Sequence, residues 1–139
     1  MTHRFKGERT LMRIFIGESD RCRQGPHKGQ PLYEALLNYF REHDFAGATV
    51  LRGIAGFGAH SRVHTEKILR LSLDLPIVVE VVASEQRLQA ALPDLDQMID
   101  GGLVTLERAR VILYRPHDLP EDEKWQHRID GLESDDAAS

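Results

Sequence analysis

The chain has 139 residues, the length of one ordinary domain, which leaves little room for a second. Its hydrophobic fraction of 41% and charged fraction of 29% are typical of globular proteins, so wholesale disorder and fibrous repeats are excluded. The formal net charge is −4, but residues 116–139 hold eight acidic residues against Lys124 and Arg128, so residues 1–115 are only weakly positive. This charge is too small for the concentrated basic face of a non-specific nucleic-acid binder.

No stretch of the sequence looks like a targeting or membrane segment. The N-terminal residues lack the continuous apolar run of a signal peptide, and no later run has the length of a membrane-spanning helix. We therefore expect a cytoplasmic protein without membrane insertion. Cys22 is the single cysteine, so no internal disulfide can form.

The first half of the chain is predicted to form a strand, a loop and a helix. Residues 11–17 (LMRIFIG) are apolar on both alternating faces, which indicates a central strand. Residues 18–30 are charged and contain glycine, as loops do, and Pro31 suits the first turn of a helix. From Pro31 to His43 apolar residues recur at helical spacing, and the predicted buried stripe is Tyr33, Leu36, Leu37 and Phe40.

Strand character returns over residues 48–54. A further extended segment is predicted over residues 63–71 and 76–82, interrupted at residues 72–74. The glycine-rich residues 52–64 (RGIAGFGAHSRVH) therefore connect two predicted strands.

Ser84 is the predicted N-cap of a second helix. Pro93 falls inside this helix, where we expect a kink or a division into two short helices, and Gly101-Gly102 ends the element. The predicted buried stripe is Leu88, Ala91, Leu92, Leu95, Met98 and Ile99.

Residues 103–114 give the last strand, so the predicted order is β-α-β-β-α-β. This order predicts an α+β, ferredoxin-like sandwich in which two helices cover one face of a mainly antiparallel sheet. The other face is left open, and we expect self-association to bury it. We expect residues 1–115 to form this domain and residues 116–139 to be an acidic, disordered tail in which Trp125 and Ile129 can dock locally.

The segment 52–64 holds three glycines, two arginines and two histidines. It can cradle a phosphate through peptide N–H groups, or it can be a surface loop with turn glycines and no ligand. It is no Walker A loop, because no Gly-Lys-Ser/Thr follows. His60 and His64 have a spacing that can serve a metal, but no third ligand is obvious and we prefer histidines that are exposed or bonded to a ligand.

Glu18 and Asp20 can be read as paired carboxylates, but no nucleophile stands at a diagnostic spacing. A structural role for Ser19 or Asp20 in the loop after the first strand is preferred. We therefore expect no enzymatic activity.

Several segments together resemble an uncharacterised PII-like family. They are LMRIFIGESD (residues 11–20), PLYEA (31–35), ATVLRGIAGFG (48–58), ILRLS (68–72), DLP (74–76) and LVTL (103–106). The resemblance covers roughly residues 7–115. Residues 21–30 look longer than is usual in that family, and the tail is extra.

The resemblance implies a relative of the trimeric PII nitrogen-regulatory signalling proteins with a ferredoxin-like protomer. Some members of the family are encoded beside fluoride-export channels. In the wider superfamily, adenine nucleotides bind in clefts between subunits, and the loop between strands 2 and 3 engages a membrane transporter or an enzyme; here that loop is residues 56–67.

The function implied by the resemblance is a homotrimeric, non-enzymatic sensor of ATP, ADP or AMP, whose loop 56–67 acts on a transporter or channel. The expected ligand-binding residues are Arg52, Gly53, Gly56, Phe57, Gly58, Arg62, His64 and Lys67. The alternative is a divalent-metal-binding, cation-tolerance-type protein that would use His60 and His64. An RNA-binding ferredoxin-like domain is disfavoured, because strand 110–114 offers only Tyr114 for base stacking.

Overall fold

The computed structural model describes residues 5–58 and 74–115. Its elements confirm the predicted order and are β1 (Phe5–Gly17), α1 (Leu32–Glu42), β2 (Thr49–Arg52), β3 (Pro76–Ala83), α2 (Glu85–Met98) and β4 (Leu103–Tyr114). The predicted tail, residues 116–139, lies outside the described residues.

The four strands form one antiparallel sheet in the order β2-β3-β1-β4. In the centre of the sheet, Met12 of β1 is in register with Val81 of β3 and with Leu106 of β4. This is the strand order that a βαββαβ chain produces when two β-α-β units interleave, so the fold is ferredoxin-like, as predicted.

One face of the sheet forms the hydrophobic core together with both helices. Met12 and Ile14 of β1 and Val79 of β3 are completely buried, and they share one cluster with Leu36 of α1 and Leu88 of α2. Alternate strand residues therefore point into a layer that the two amphipathic helices close.

The opposite side of the sheet, which we call the open face, carries the other strand residues. Arg13 lies at its centre on β1, beside Glu80 of β3. Apolar side chains are uncovered in the next row of this face: Phe15, Leu51 and Leu103 are 37%, 48% and 57% exposed. The predicted open apolar face is thus present in the protomer.

Helix α1 buries a different stripe from the one predicted. The buried residues are Leu32, Ala35, Leu36, Tyr39 and Phe40, whereas Tyr33 is half-buried and Leu37 is 40% exposed. The Tyr39 hydroxyl donates a hydrogen bond to Asp94 Oδ2 of α2 at 2.7 Å. Because this bond satisfies the hydroxyl, the Tyr39 ring can be buried and the stripe is rotated toward it. Pro31 is the N-cap and not a residue of the first turn.

Helix α2 begins as predicted, with the Ser84 hydroxyl accepting a hydrogen bond from Arg87 N. The core residues Leu88, Ala91, Leu95 and Met98 are buried, while Leu92 and Ile99 are only partly buried. The prediction of two short helices is wrong, since α2 is one element through Pro93. Pro93 and Gln89 are both exposed, so water can satisfy the Gln89 carbonyl that proline leaves without its helical donor.

Two strands differ in length from their predictions. β1 begins at Phe5 instead of residue 11, because β4 pairs with it beyond the end of β3. β2 is limited to four residues. Residues 63–71, predicted to be extended, lie outside the described residues, whereas β4 has the predicted bounds.

The extra length of β1 makes a two-stranded ribbon, residues 5–9 paired with residues 109–114, that continues past the four-stranded sheet. A register shift between Phe5 and Gly7 lies within it.

Within residues 5–58 and 74–115, no helix is both long and apolar enough to cross a membrane.

Candidate functional site

The segment Arg52–Gly58 leaves the sheet at edge strand β2 and is fixed against β3. Gly53 N donates a hydrogen bond to Pro76 O at 2.7 Å. A Cβ on Gly53 would lie 2.7 Å from Pro76 Cγ, and one on Gly56 would lie 3.0 Å from the same atom. Both glycines are therefore accounted for by close contact with the proline ring, without a ligand.

Beyond this anchor the segment presents apolar side chains to solvent. Ile54 is 92% exposed and Phe57 is 79% exposed, and Gly58 is exposed as well. A segment that is attached to the sheet yet leaves an isoleucine and a phenylalanine uncovered is typical of a surface that another molecule covers.

Arg52 is paired within the protomer. Its Nη2 donates to Glu18 Oε1, and the Glu18 side chain is only 19% exposed. The second oxygen, Glu18 Oε2, is buried without a hydrogen-bond partner among the described residues. An anion that binds Arg52 would thus compete with Glu18 for the guanidinium.

The loop after β1 is held by local hydrogen bonds that match the structural role preferred for Ser19 and Asp20. Gly17 N donates to Asp20 Oδ2 at 2.9 Å, and Ser19 Oγ donates to Asp74 Oδ1 at 2.8 Å. These bonds tie the end of β1 to the residues that precede β3. In the ranges 5–58 and 74–115, no group of three His, Cys, Asp or Glu residues is arranged to hold a metal ion.

Four of the expected site residues, His60, Arg62, His64 and Lys67, lie outside the described residues. Loop 56–67 is described only as far as Gly58. The histidine pair and the basic side chains of the loop therefore stay predictions.

A concavity that the sequence did not indicate lies between the end of α2 and the start of β4. Its volume is about 360 Å³, and it is lined by Leu92, Leu95, Asp96, Ile99, Asp100, Gly101, Gly102 and Val104. A Cβ on Gly102 would lie 2.7 Å from Phe15 O, so β1 passes close to this turn. In the sequence, the Gly101-Gly102 pair predicts only the end of α2.

Arg23 from the long loop after β1 bonds to Asp96 and Asp100, two of the residues that line this concavity. Its Nη2 donates to Asp96 O at 2.9 Å, its Nε to Gln97 O at 3.3 Å, and its backbone N to Met98 O at 2.9 Å. These three bonds satisfy carbonyls at the C-terminus of α2, where a cation is also favoured by the helix dipole. The loop is thereby attached to the second helix.

Among solved structures, the chain is similar to the one described as "Structure of CPII bound to ADP and bicarbonate, from Thiomonas intermedia K12". The two share 17% sequence identity with a TM-score of 0.45, over 80% of this chain and 93% of that one.

Among curated proteins, the chain is 34% identical over 105 residues to a UPF0166 protein of Aquifex aeolicus (strain VF5), covering 76% of this chain and 94% of that protein. It is 28% identical over 102 residues to UPF0166 protein MJ1524 of Methanocaldococcus jannaschii, covering 73% and 89%. The model of the family DUF190, described as "Uncharacterized ACR, COG1993", matches residues 9–111. The chain therefore belongs to the DUF190 (UPF0166) family, which confirms the family resemblance seen in the sequence.

Proposed function

We propose that this chain is a homotrimeric, PII-like sensor that binds an adenine nucleotide in clefts between subunits and does not catalyse a reaction. Loop 56–67 passes the signal to a partner, for which a membrane transporter or channel is the expected class. The observation that carries the proposal is the segment Arg52–Gly58, which is fixed to Pro76 and presents Ile54 and Phe57 to solvent.

Assembly is supported by the open face. Phe15, Leu51 and Leu103 expose apolar surface on it, while the central Arg13 is already paired with acidic side chains of the same protomer. A second copy can cover such a face without burying an unpaired arginine. Because β2 is an edge strand of this sheet, assembly would bring the neighbouring subunit toward the segment that follows it.

The chemistry of the segment suits a nucleotide. The exposed Phe57 ring can stack on a purine, and the peptide N–H groups near Gly56 can donate to phosphate oxygens. Arg62, His64 and Lys67 follow in the sequence and would supply charge to the phosphates.

Arg52 gives the proposal a switching step. In this structure the guanidinium is bonded to Glu18, and a phosphate would offer it a competing acceptor. A nucleotide that draws Arg52 from Glu18 would bind one arrangement of the segment better than the other. Such a difference in affinity is what allows a ligand to shift the population of loop conformations.

The proposal includes a division of the chain into a PII-like domain, residues 1–115, and an acidic tail, residues 116–139, in a cytoplasmic protein. In the described part of the chain, the side chains of Ser19, Asp20 and Asp74 are engaged in fixing the β1 and β3 ends. This engagement supports a binding role for the region over acid–base catalysis.

Isothermal titration calorimetry with ATP, ADP, AMP and cyclic AMP tests the proposal. We expect saturable binding of at least one nucleotide, weakened by Gly56→Val and by Arg62→Ala and unchanged by Gly47→Ala, which lies outside the segment. Absence of binding at millimolar nucleotide would contradict the proposal, and so would binding that none of the variants alters. A parallel titration with Zn²⁺ and the His60→Ala/His64→Ala variant tests the alternative metal site.

A further inference from the structure

The two-stranded ribbon of residues 5–9 and 109–114 has an exposed apolar surface. Ile112 is 67% and Leu113 51% exposed, on opposite sides of β4. A two-stranded antiparallel pair is only marginally stable without a further strand or a packed face. The ribbon is therefore expected to gain stability from a segment that covers it.

Together with the adjoining Arg108, one side of the ribbon carries this apolar surface and two arginines, one of which lies near Glu8. Side-chain alternation places Arg108, Arg110 and Ile112 on the same side of β4. The Arg108 side chain is 88% exposed, with its Nη1 at 4.0 Å from Glu8 Oε1, and Arg110 is exposed as well. From Arg108 to Arg115, β4 and the residue after it contain three arginines and no acidic residue.

The sequence that follows immediately has the complementary composition. Residues 116–139 contain eight acidic residues against two basic ones, a local balance of −6, together with apolar residues that include Trp125 and Ile129. We propose that this acidic tail docks on the side of the ribbon formed by Arg108, Arg110 and Ile112, with Trp125 against Ile112.

The geometry of the chain permits this contact. From Tyr114 to Arg108 the strand spans about 20 Å, at about 3.3 Å per residue. Trp125 is the tenth residue after Arg115, and ten steps of extended chain reach about 33 Å. The tail is covalently attached at the end of the ribbon, so docking is intramolecular. The effective concentration of the tail near the ribbon is therefore on the order of 1 mM.

Trp125 is the only tryptophan of the chain, so its fluorescence reports on the tail alone. In the full chain at low salt, we expect Trp125 emission at shorter wavelength and severalfold weaker acrylamide quenching than in a synthetic peptide of residues 116–139. Raising NaCl from about 20 mM to about 500 mM should move both values toward those of the peptide, because screening weakens contacts between exposed charges.

The variant Arg108→Gln/Arg110→Gln should have the same effect as salt, and Ile112→Ser should remove part of the protection. Arg41→Gln, at an exposed position of helix α1, is the matched control and should leave Trp125 unchanged. Circular dichroism and thermal melting establish that each variant is folded. The arginine variant is expected to fold because both side chains are exposed.

Three results would overturn the proposal. Trp125 of the wild-type chain could be quenched like the free peptide at low salt. Its protection could be equal in the wild type and in both ribbon variants, which would place the tail elsewhere. The protection could also fall on dilution, which would place the tail on another copy of the chain.

Discussion

Arg13 Nε donates to Glu80 Oε2 at 2.9 Å in the centre of the open face. The same guanidinium donates from Nη1 to Glu107 on β4, so one arginine of the middle strand holds a carboxylate on each neighbouring strand. The hydrogen bond that Glu80 accepts raises the pKa of Arg13, which keeps it charged. The charge of Arg13 is thus paired inside one protomer by two carboxylates.

We therefore predict that Arg13→Ala weakens assembly more than it weakens the fold. Without the guanidinium, two carboxylates would be brought into the subunit interface without a partner, which is costly. Sedimentation velocity should show three times the 15.8 kDa mass for the wild type and smaller species for the variant. Arg41→Ala is the control, and an unchanged mass for Arg13→Ala would contradict the proposed interface.

Leu36 and Leu37 are adjacent leucines of α1 with opposite environments, 0% and 40% exposed. We expect Leu36→Ala to lower the free energy of unfolding by about 2–5 kcal/mol, since it leaves a cavity in the core. Leu37→Ala should cost less than about 1 kcal/mol in the isolated protomer. Urea denaturation measures both, and equal costs would show that the buried stripe of α1 has been misidentified.

Gly53 and Gly47 are a matched pair of positions, one inside and one outside the segment Arg52–Gly58 that is proposed to bind nucleotide. Gly53→Ala would press a methyl group against Pro76 Cγ, whereas a Cβ on Gly47 meets nothing within 4 Å. We expect Gly53→Ala to cost about 1–3 kcal/mol of stability and to weaken nucleotide binding. Gly47→Ala should be neutral or slightly stabilising, by up to about 1 kcal/mol. Thermal melting and calorimetry check the two effects, and a Gly53→Ala protein that matches Gly47→Ala in both would refute the contact with Pro76.

Tyr39 gives the fold a dependence on alkaline pH. Burial, with the hydrogen bond to Asp94, raises the pKa of the Tyr39 hydroxyl far above the ordinary value of 10.0. Above about pH 10 the unfolded chain loses the Tyr39 proton while the folded chain keeps it, so stability falls as the pH rises further. Below about pH 10 Tyr39 is protonated in both states, so its contribution to the free energy of unfolding is fully present.

We expect Tyr39→Phe to cost about 1–2 kcal/mol at neutral pH, through loss of the bond to Asp94. Between about pH 9 and 11 its stability should decline less steeply than that of the wild type. Tyr33→Phe, at a half-buried position, is the control and should keep the wild-type slope. Parallel slopes for the wild type and Tyr39→Phe would rule out Tyr39 as the titrating group.

The fold could be predicted from the sequence because apolar periodicity and turn residues determine the element order. β4 and the Ser84 cap of α2 were located correctly for this reason. The α1 stripe was misplaced because Tyr39 looks partly polar in the sequence, and only the neighbouring Asp94 makes its burial favourable. The division of α2 at Pro93 was wrong because the cost of proline depends on whether water reaches Gln89, and the sequence does not give that exposure.

For the candidate site, the sequence indicates which segment is involved but not which residues that segment contacts. The glycines of the segment Arg52–Gly58 indicated close backbone contact, but the sequence could not show that the contact is with Pro76. It also could not pair Arg52 with Glu18, which lies 34 residues earlier. Such contacts depend on which strands pair and in which register, and the pairing of β1 with β3 and β4 joins residues that are far apart in the sequence.

The attachment of Arg23 to the end of α2 makes its neighbour Cys22 a natural chemical probe. Cys22 is 2% exposed, and burial raises the pKa of its thiol, so it should react slowly with alkylating reagents while the loop is in place. As the only cysteine, it reports on this loop without mutagenesis. The alkylation rate of the native protein therefore measures how often the loop separates from α2. A change in this rate on addition of nucleotide would show that nucleotide binding alters the opening of the loop.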